Sequence, residues 1–364
     1  MYIWEKKEWP KFIWNEAKIN EKLIRLRYRQ GRLLGMAETL GFDVKSPIVL
    51  DSMTAEIIKS SEIEGIVLNP DDVRSSIAWQ LGLDNVGVPT SDRYIEGIVE
   101  VMFDAVHNYS EPLTQERLFG WHSALFPTTN RLTNITIGNW RQGDAPMQVI
   151  SGRYGNEKVH YEAPSSKSVP MMMAVFLKWI NQEQPIDLLL KAAIAHLWFV
   201  SIHPFSDGNG RLARTITDMI LAKADGSTYR FYSMSAQIAR NRRSYYDILE
   251  STQKGTIDIS EWLIWFLDNL NLAIETSEST IGRVLDKAAF WERNRHIVMN
   301  ERQTRIINML WDGFEGKLSS SKWAKINKCS TDTALRDMQD LVTKGILVKT
   351  NSGGRSTSYE LAKK

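Results

Sequence analysis

One cysteine, Cys329, stands among 364 residues. A single thiol can build neither an internal disulfide framework nor a cysteine zinc cluster, and a chain of this length buries enough surface to need no such staple. The same scarcity favours a reducing, cytoplasmic compartment. Long apolar runs are missing too. The two longest, around Val169–Ile180 and Leu188–Ile202, are broken by Lys178, Lys191 and His196, short of the ~18 uninterrupted residues of a membrane span. The opening MYIWEKKEWPKF scatters charge without an apolar stretch, so no signal peptide is expected. No internal repeat and no low-complexity tract occurs. Collagen, coiled-coil arrays, secreted miniproteins and membrane channels are excluded.

An excess of one charge is also lacking. The net charge is +2, but it is unevenly placed. Residues 301–364 hold 12 Lys and Arg against 7 Asp and Glu, whereas the first 300 residues hold 33 against 36. A small basic C-terminal module follows a slightly acidic body.

What is abundant is helical periodicity. Apolar residues recur at three- and four-residue spacing in Leu23–Leu40, Tyr94–Tyr109, Val169–Asn181, Leu188–Ile202 and Ile259–Ile274, so the chain reads as mainly α. Strand signals are few. One run around Met147–Ser151 and another at Lys158–Tyr161 flank a Gly-containing loop and predict a hairpin. Tyr2, Trp4, Trp9, Phe12 and Trp14 make the first 15 residues an aromatic arm that packs onto the body. Near the C-terminus, Glu301–Trp311, Ser319–Lys328 and Ser330–Lys344 read as three helices. The last carries Ala334, Leu335, Met338, Leu341 and Val342 on one face and stops at Gly345. Ile346–Thr350, a turn at Asn351-Ser352-Gly353-Gly354, and Arg355–Leu361 read as a ribbon. Three helices and a hairpin resemble a winged helix-turn-helix. The organisation expected is an accessory region at 1–48, a catalytic body at 49–275, a linker helix at 276–298 and the winged module at 299–364.

The chemistry concentrates in His203-Pro204-Phe205-Ser206-Asp207-Gly208-Asn209-Gly210-Arg211-Leu212-Ala213-Arg214. It joins one apolar helix to another and so opens a helix N-terminus. Asp-Gly-Asn-Gly lets backbone N–H groups turn inward as a nest for an anion, and the helix adds its positive end. Arg211 and Arg214, three apart, can lie on one side of the first turn. Two guanidinium groups beside such a nest suit a polyphosphate. Asp207 offers a hard oxygen suited to Mg²⁺ bridging phosphates. His203 is the one nearby group whose ordinary pKa lies near neutrality, so it can take a proton. Phe205, apolar in a polar loop, anchors it in the core. The lysine and the strand-first context of a Walker A loop or dinucleotide fingerprint are missing.

This string matches, position for position, the signature of the Fic (Fido) family, His-x-Phe-x-(Asp/Glu)-Gly-Asn-Gly-Arg-x-x-Arg. Gly138-Asn139-Trp140-Arg141, Val149-Ile150-Ser151-Gly152 and Val159-His160-Tyr161-Glu162-Ala163-Pro164 resemble the family's flap, and Asn241-Arg242 with Tyr245-Tyr246 its downstream nucleotide segment. The resemblance covers roughly residues 50–275 and implies a Fic-type helical core with a β-hairpin flap. The N-terminal arm resembles an accessory domain of unknown function found in some Fic proteins.

The resemblance implies transfer of AMP from ATP to a Ser, Thr or Tyr hydroxyl of a target protein, or of the chain itself. His203 would be the base and Asp207 the Mg²⁺ ligand. The Gly208-Asn209-Gly210 backbone and the Asn209 amide would hold the α-phosphate, and Arg211 and Arg214 the β- and γ-phosphates. Asn241 would contact the adenosine side. Val149 and Ile150 would align the target as an added strand.

Ser60-Ser61-Glu62-Ile63-Glu64-Gly65 matches a second family pattern, (Ser/Thr)-x-x-x-Glu-(Gly/Asn). A helix over 51–65, capped by Asp51 and stopped by Gly65, would place Ser60 and Glu64 on one face. In the resemblance, Glu64 pairs with Arg214 and keeps ATP in an unproductive pose, as in the class with an N-terminal inhibitory helix.

His107, His122, His160, His196 and His296 show no zinc spacing, and His196 reads as a core histidine. In the winged module, Thr333, Arg336, Lys349 and Arg355 could face a DNA groove, while Asp332, Asp337 and Asp340 would repel phosphate. DNA, a protein partner or a homodimer stays open for this module. A DNA-binding regulator that senses nucleotide, and an enzyme that removes AMP or moves another phosphate-linked group, remain the alternatives.

Overall fold

The computed structural model describes residues 1–83, 92–127, 135–153, 156–350 and 357–362. It is mainly helical. In chain order the elements are α1 (Glu16–Glu38), α2 (Phe42–Ile63), α3 (Pro70–Gln80), α4 (Arg93–His107), α5 (Gln115–Ala124), β1 (Gln148–Arg153), β2 (Asn156–Glu162), α6 (Val169–Asn181), α7 (Leu188–Ile202), α8 (Asn209–Asp225), α9 (Met234–Arg240), α10 (Arg242–Gln253) and α11 (Ser260–Arg293). They continue with α12 (Glu301–Trp311), α13 (Ser320–Asn327), α14 (Thr331–Thr343), β3 (Leu347–Lys349) and β4 (Tyr359–Leu361). Two compact units result, Met1–Ser279 and Thr280–Lys364.

In the larger unit α7 is the central post. It is apolar on every face and buried almost throughout, as expected of a helix with no solvent side. Asp187 caps it by accepting from the Leu189 N–H at 2.7 Å. α8 packs along it, and the two helices present the 203–209 connection. The aromatic arm packs as its composition suggests: Trp9 and Phe12 meet Trp198 edge-on at 6.2 and 5.8 Å, and Tyr2 meets Tyr161 at 5.2 Å. β1 and β2 form an antiparallel pair whose register shifts between Val149 and Ile150. No helix among the described residues is long and apolar enough to cross a membrane.

Close approach explains one glycine. A Cβ at Gly97 in α4 would sit 2.1 Å from the Ala124 carbonyl oxygen of α5. Backbone cannot retreat as a side-chain tip can, so Gly97→Ala is expected to cost about 1–3 kcal/mol of stability. Thermal denaturation of the two chains checks this.

Two boundaries differ from the sequence reading. The helix that ends at Glu64 does not open at Asp51. It starts at Phe42 with Gly41 as N-cap, and Pro47 in its second turn removes only one donor from the ladder. Asp51 lies mid-helix and forms an ion pair with Arg74 of α3. The helix expected at Ile259–Ile274 runs on without a break at 276 to Arg293 as α11, and 294–298 of the expected linker helix lie beyond it.

In the smaller unit α12, α13 and α14 are followed by the antiparallel pair β3–β4. Trp323, Met338 and Leu341 are fully buried, but Leu335, expected on the same face, is 39% exposed. Asp337 does not face solvent to repel phosphate. It accepts from Arg302 Nε at 2.7 Å and Asn300 Nδ2 at 2.9 Å. Burial would raise its pKa, yet these donors outweigh it and the carboxyl is held below its ordinary value. Asp340 accepts from Lys344 at 2.5 Å. Arg355 and the turn 351–354 lie outside the described residues.

Candidate active site

The loop between α7 and α8 is built around two left-handed residues. His203 ends α7 with φ 52°, and Gly208 precedes α8 with φ 77°. A side chain at the first is uncommon and marks a strained position, while the second suits glycine. Phe205 is fully buried and stacks on His122 with centroids 4.2 Å apart. Asn209 clasps the turn: its Oδ1 accepts from Phe205 N at 2.9 Å and its Nδ2 donates to Phe205 O at 2.8 Å. The Asn209 amide, expected to reach an α-phosphate, thus spends its carbonyl and one N–H on holding the loop's shape. At the start of α8, Gly208 and Asn209 are buried and Gly210 is the residue that lines the cavity.

The His203 side chain is half-buried. Its Nδ1 lies 3.3 Å from the Val200 carbonyl oxygen. A carbonyl can only accept, so that nitrogen carries the proton and Nε2 is left with a free lone pair. Burial pushes the imidazole pKa down to about 4, against the opposing pull of the Val200 carbonyl, Glu64 and Asp207. Near neutral pH the His203 imidazole is therefore uncharged. Asp207 is exposed and accepts from Gly208 N at 2.6 Å through Oδ1.

Residues far away in sequence hold this loop. Arg141 donates from Nε to His203 O at 2.7 Å and from Nη2 to Pro164 O, and its N–H bonds Pro204 O at 2.9 Å. His122 Nδ1 accepts from Gly138 N at 3.0 Å, which leaves Nε2 to donate to Asp207 O at 3.3 Å. Burial lowers its pKa to about 4, so it too is neutral. Sequence reading gave neither residue a role, because the contacts span 62 and 85 positions. For Arg141, its place in the flap motif is a signal the sequence carries; His122 stands apart from that motif in sequence. His196 is a core histidine between Thr217 at 3.0 Å and Tyr245 at 2.8 Å.

A cavity of about 530 Å³ opens over the loop. His203 and Gly210 form its base, Glu64 one side, Arg242, Tyr245 and Tyr246 of α10 another, and Val149, Ile150 and His160 of the hairpin a third. Ile150 is 55% exposed. Asn241 does not line this cavity. Its Nδ2 turns to Asn269 of α11 at 2.9 Å, because it sits at the corner between α9 and α10. Tyr246, whose hydroxyl donates to Ile63 O at 3.2 Å, does line the cavity.

The two arginines do share one side of α8, but it is the side that α2 and α4 cover. Arg211, 5% exposed, donates to Tyr94 Oη at 2.8 Å and lies over the Phe126 ring at 4.9 Å. Arg214, 3% exposed, donates to Ser60 Oγ at 2.8 Å, Ser60 O at 2.9 Å and Glu64 Oε1 at 2.8 Å. Burial works against the Arg214 charge, and the Glu64 carboxylate outweighs it. Both arginines line a second cavity of only about 30 Å³ and neither reaches the large one. Arg211 Nε and Arg214 Nη1 are buried without a partner. The Glu64 carboxylate lies against the start of α8: a Cβ on Gly210 would meet Glu64 Oε1 at 2.2 Å.

No group of three His, Cys, Asp or Glu among the described residues could hold a metal. Asp207 is a single exposed carboxylate with one oxygen uncommitted, a donor set that fits Mg²⁺ only if phosphates and water complete the shell.

Residues 112–221 match the model of the Fic/DOC family, and residues 2–83 match a domain of unknown function (DUF4172). A probable protein adenylyltransferase of Aquifex aeolicus is 27% identical over 226 residues, 61% of this chain and 62% of that one. The protein adenylyltransferase Fic of Culex quinquefasciatus is 34% identical over 96 residues, 26% of this chain and 18% of its own. The chain thus spans less than two thirds of the length of these curated relatives. The crystal structure of a Fic family protein from Desulfovibrio desulfuricans superposes with a TM-score of 0.54 at 20% identity, covering 94% of this chain and 96% of that one, a likeness of fold.

Proposed function

We propose that this chain, which carries a Fic/DOC-family domain over residues 112–221, is a protein adenylyltransferase. It would move AMP from ATP to a Ser, Thr or Tyr hydroxyl of a target protein, in the cytoplasm, with Glu64 as its built-in inhibitor. One observation carries the reading: the His203 imidazole and Gly210 at the start of α8 line the same cavity. The adenylyltransferase names of the relatives support it.

The steps follow from the side chains. The target hydroxyl passes its proton to His203 Nε2 as its oxygen attacks the α-phosphorus. The bond from that phosphorus to the bridging oxygen breaks and pyrophosphate leaves. Backbone N–H groups at the start of α8, aided by the helix dipole, stabilise the charge gathering on the α-phosphate oxygens. Asp207 would hold Mg²⁺, which supplies charge neutralisation across the phosphates. Arg214 offers Nη1 and, once Glu64 withdraws, Nη2 to the γ-phosphate. β1 is paired on one edge only, by β2, among the described residues. Its other edge, at Val149 and Ile150, suits a target segment laid down as an added strand.

ATP labelled at the α-phosphate or at the γ-phosphate tests the reaction class. A Glu64→Gly chain is expected to mark lysate protein from the α-label and not from the γ-label. Marking from the γ-label alone means phosphoryl transfer and ends the adenylyl reading.

The smaller unit supports a second, compatible reading as a winged helix-turn-helix. Asp337 and Asp340 are tied to Arg302 and Lys344, which leaves Asp332 alone among three acids to oppose a phosphate backbone at α14.

A further inference from the structure

The hairpin carries a chain of hydrogen bonds that the reading above does not use. Ser151 Oγ on β1 lies 2.6 Å from His160 Nε2 on β2, and His160 Nδ1 lies 2.5 Å from Glu250 Oε2 on α10. The far end of the chain sets which ring nitrogen meets the carboxylate with a proton. Glu250 Oε1 accepts from Lys254 at 2.7 Å, and the Lys254 and His160 bonds hold the carboxyl down at about 2, so it is an acceptor only. His160 Nδ1 therefore carries a proton, and in the neutral imidazole Nε2 then accepts from the Ser151 hydroxyl. This is the ordering of nucleophile, base and orienting carboxylate that activates a serine. Ser151 is exposed, and all three residues line the cavity over His203 and Gly210. An acyl-transfer triad needs oxyanion donors beside the serine. The anion-binding backbone on this cavity is instead the start of α8, suited to phosphate.

We infer that Ser151 is a self-modification site, an acceptor hydroxyl that takes AMP from ATP bound on the 203–214 loop. The inference rests on the adenylyl-transfer reading. Ser151 Oγ forms the new bond to the α-phosphorus, the bond to the bridging oxygen breaks, pyrophosphate departs, and the hydroxyl proton moves to His160 Nε2. His160 acts on the reacting hydroxyl directly, while Glu250 is a positioning residue that keeps the imidazole in the right tautomer. The acceptor arrives with its own base, so it needs no docked target strand.

The test uses the full chain carrying Glu64→Gly, α-labelled ATP and Mg²⁺, with and without lysate, and peptide mass mapping of the chain. AMP is expected on the peptide containing Ser151. It should vanish in Ser151→Ala and form at least tenfold more slowly in His160→Asn and Glu250→Gln, while lysate labelling persists in all three. Loss of lysate labelling together with self-labelling in those variants would make the hydrogen-bond chain merely structural and overturn the inference. So would AMP on another residue of the chain, or none on the chain, with the lysate labelled. Absence of label from both chain and lysate in the Glu64→Gly parent removes the adenylyl reading itself, and the inference with it.

Discussion

A Glu64→Gly chain labels lysate protein with AMP about 10- to 150-fold faster than the unsubstituted chain. The range is the worth of one hydrogen bond to a charged group, about 1.5–3 kcal/mol, at about 1.4 kcal/mol per tenfold. Glu64 does two things that oppose a triphosphate. It occupies Arg214 Nη2 at 2.8 Å, and it sets a carboxylate against Gly210, where an anion should rest on the start of α8. Arg214 does not collapse when Glu64 is gone, because Ser60 still accepts from Nε at 2.8 Å and Nη2 at 2.9 Å. Its Nη1 is already buried and unpartnered. The substitution is also benign for the helix. Glu64 is the C-cap of α2, beyond the last full turn, and the left-handed stop is at Gly65 with φ 80°. The check is the initial rate of label incorporation by the two chains at equal concentration. Equal rates would mean that the Glu64–Arg214 pair is a structural tie without regulatory consequence.

The contact between Glu64 and Arg214 joins positions 150 apart, yet both ends could be read because each sits in a short motif with its own meaning. The same holds for the loop. His203, Gly208 and Phe205 take their places through local geometry, a helix end followed by a glycine turn, and local geometry is written in adjacent letters. α6, α7 and α12 begin and end where their apolar spacing says. What could not be read was decided by partners supplied from elsewhere. Asp51 has the character of a cap, but Gly41 starts the helix and Arg74 claims the carboxylate. Asn241 and Asn209 are polar residues in polar segments, and nothing nearby says that one turns to Asn269 and the other back onto Phe205. Arg141 and His160 are the sharper cases. Their hydrogen bonds run to the α7 end and to α10, and only the folded chain shows that a flap residue supports the base or orients a serine.

His203→Ala lowers the labelling of lysate protein by about 10²–10⁴-fold in the Glu64→Gly background, the usual contribution of a positioned general base. The pH profile separates a base from a packing residue. Below its pKa an imidazole holds a proton on Nε2 and cannot accept another. Burial has brought the His203 pKa down from 6.5 to about 4, so the neutral, active form persists as acid is added. kcat/KM for lysate labelling, which reports the free enzyme, should stay level from neutrality to about pH 5 and fall as the pH drops through about 4. An unperturbed histidine would begin to lose activity near pH 6.5. Circular dichroism at each pH keeps acid unfolding apart from loss of the base, which matters because His122 and His196 are also held neutral, at about 4 and about 3, and must charge when the chain unfolds in acid. A fall centred near 6.5 with the fold intact would place the working imidazole in water rather than under the loop, and the base would have to be sought elsewhere in the cavity.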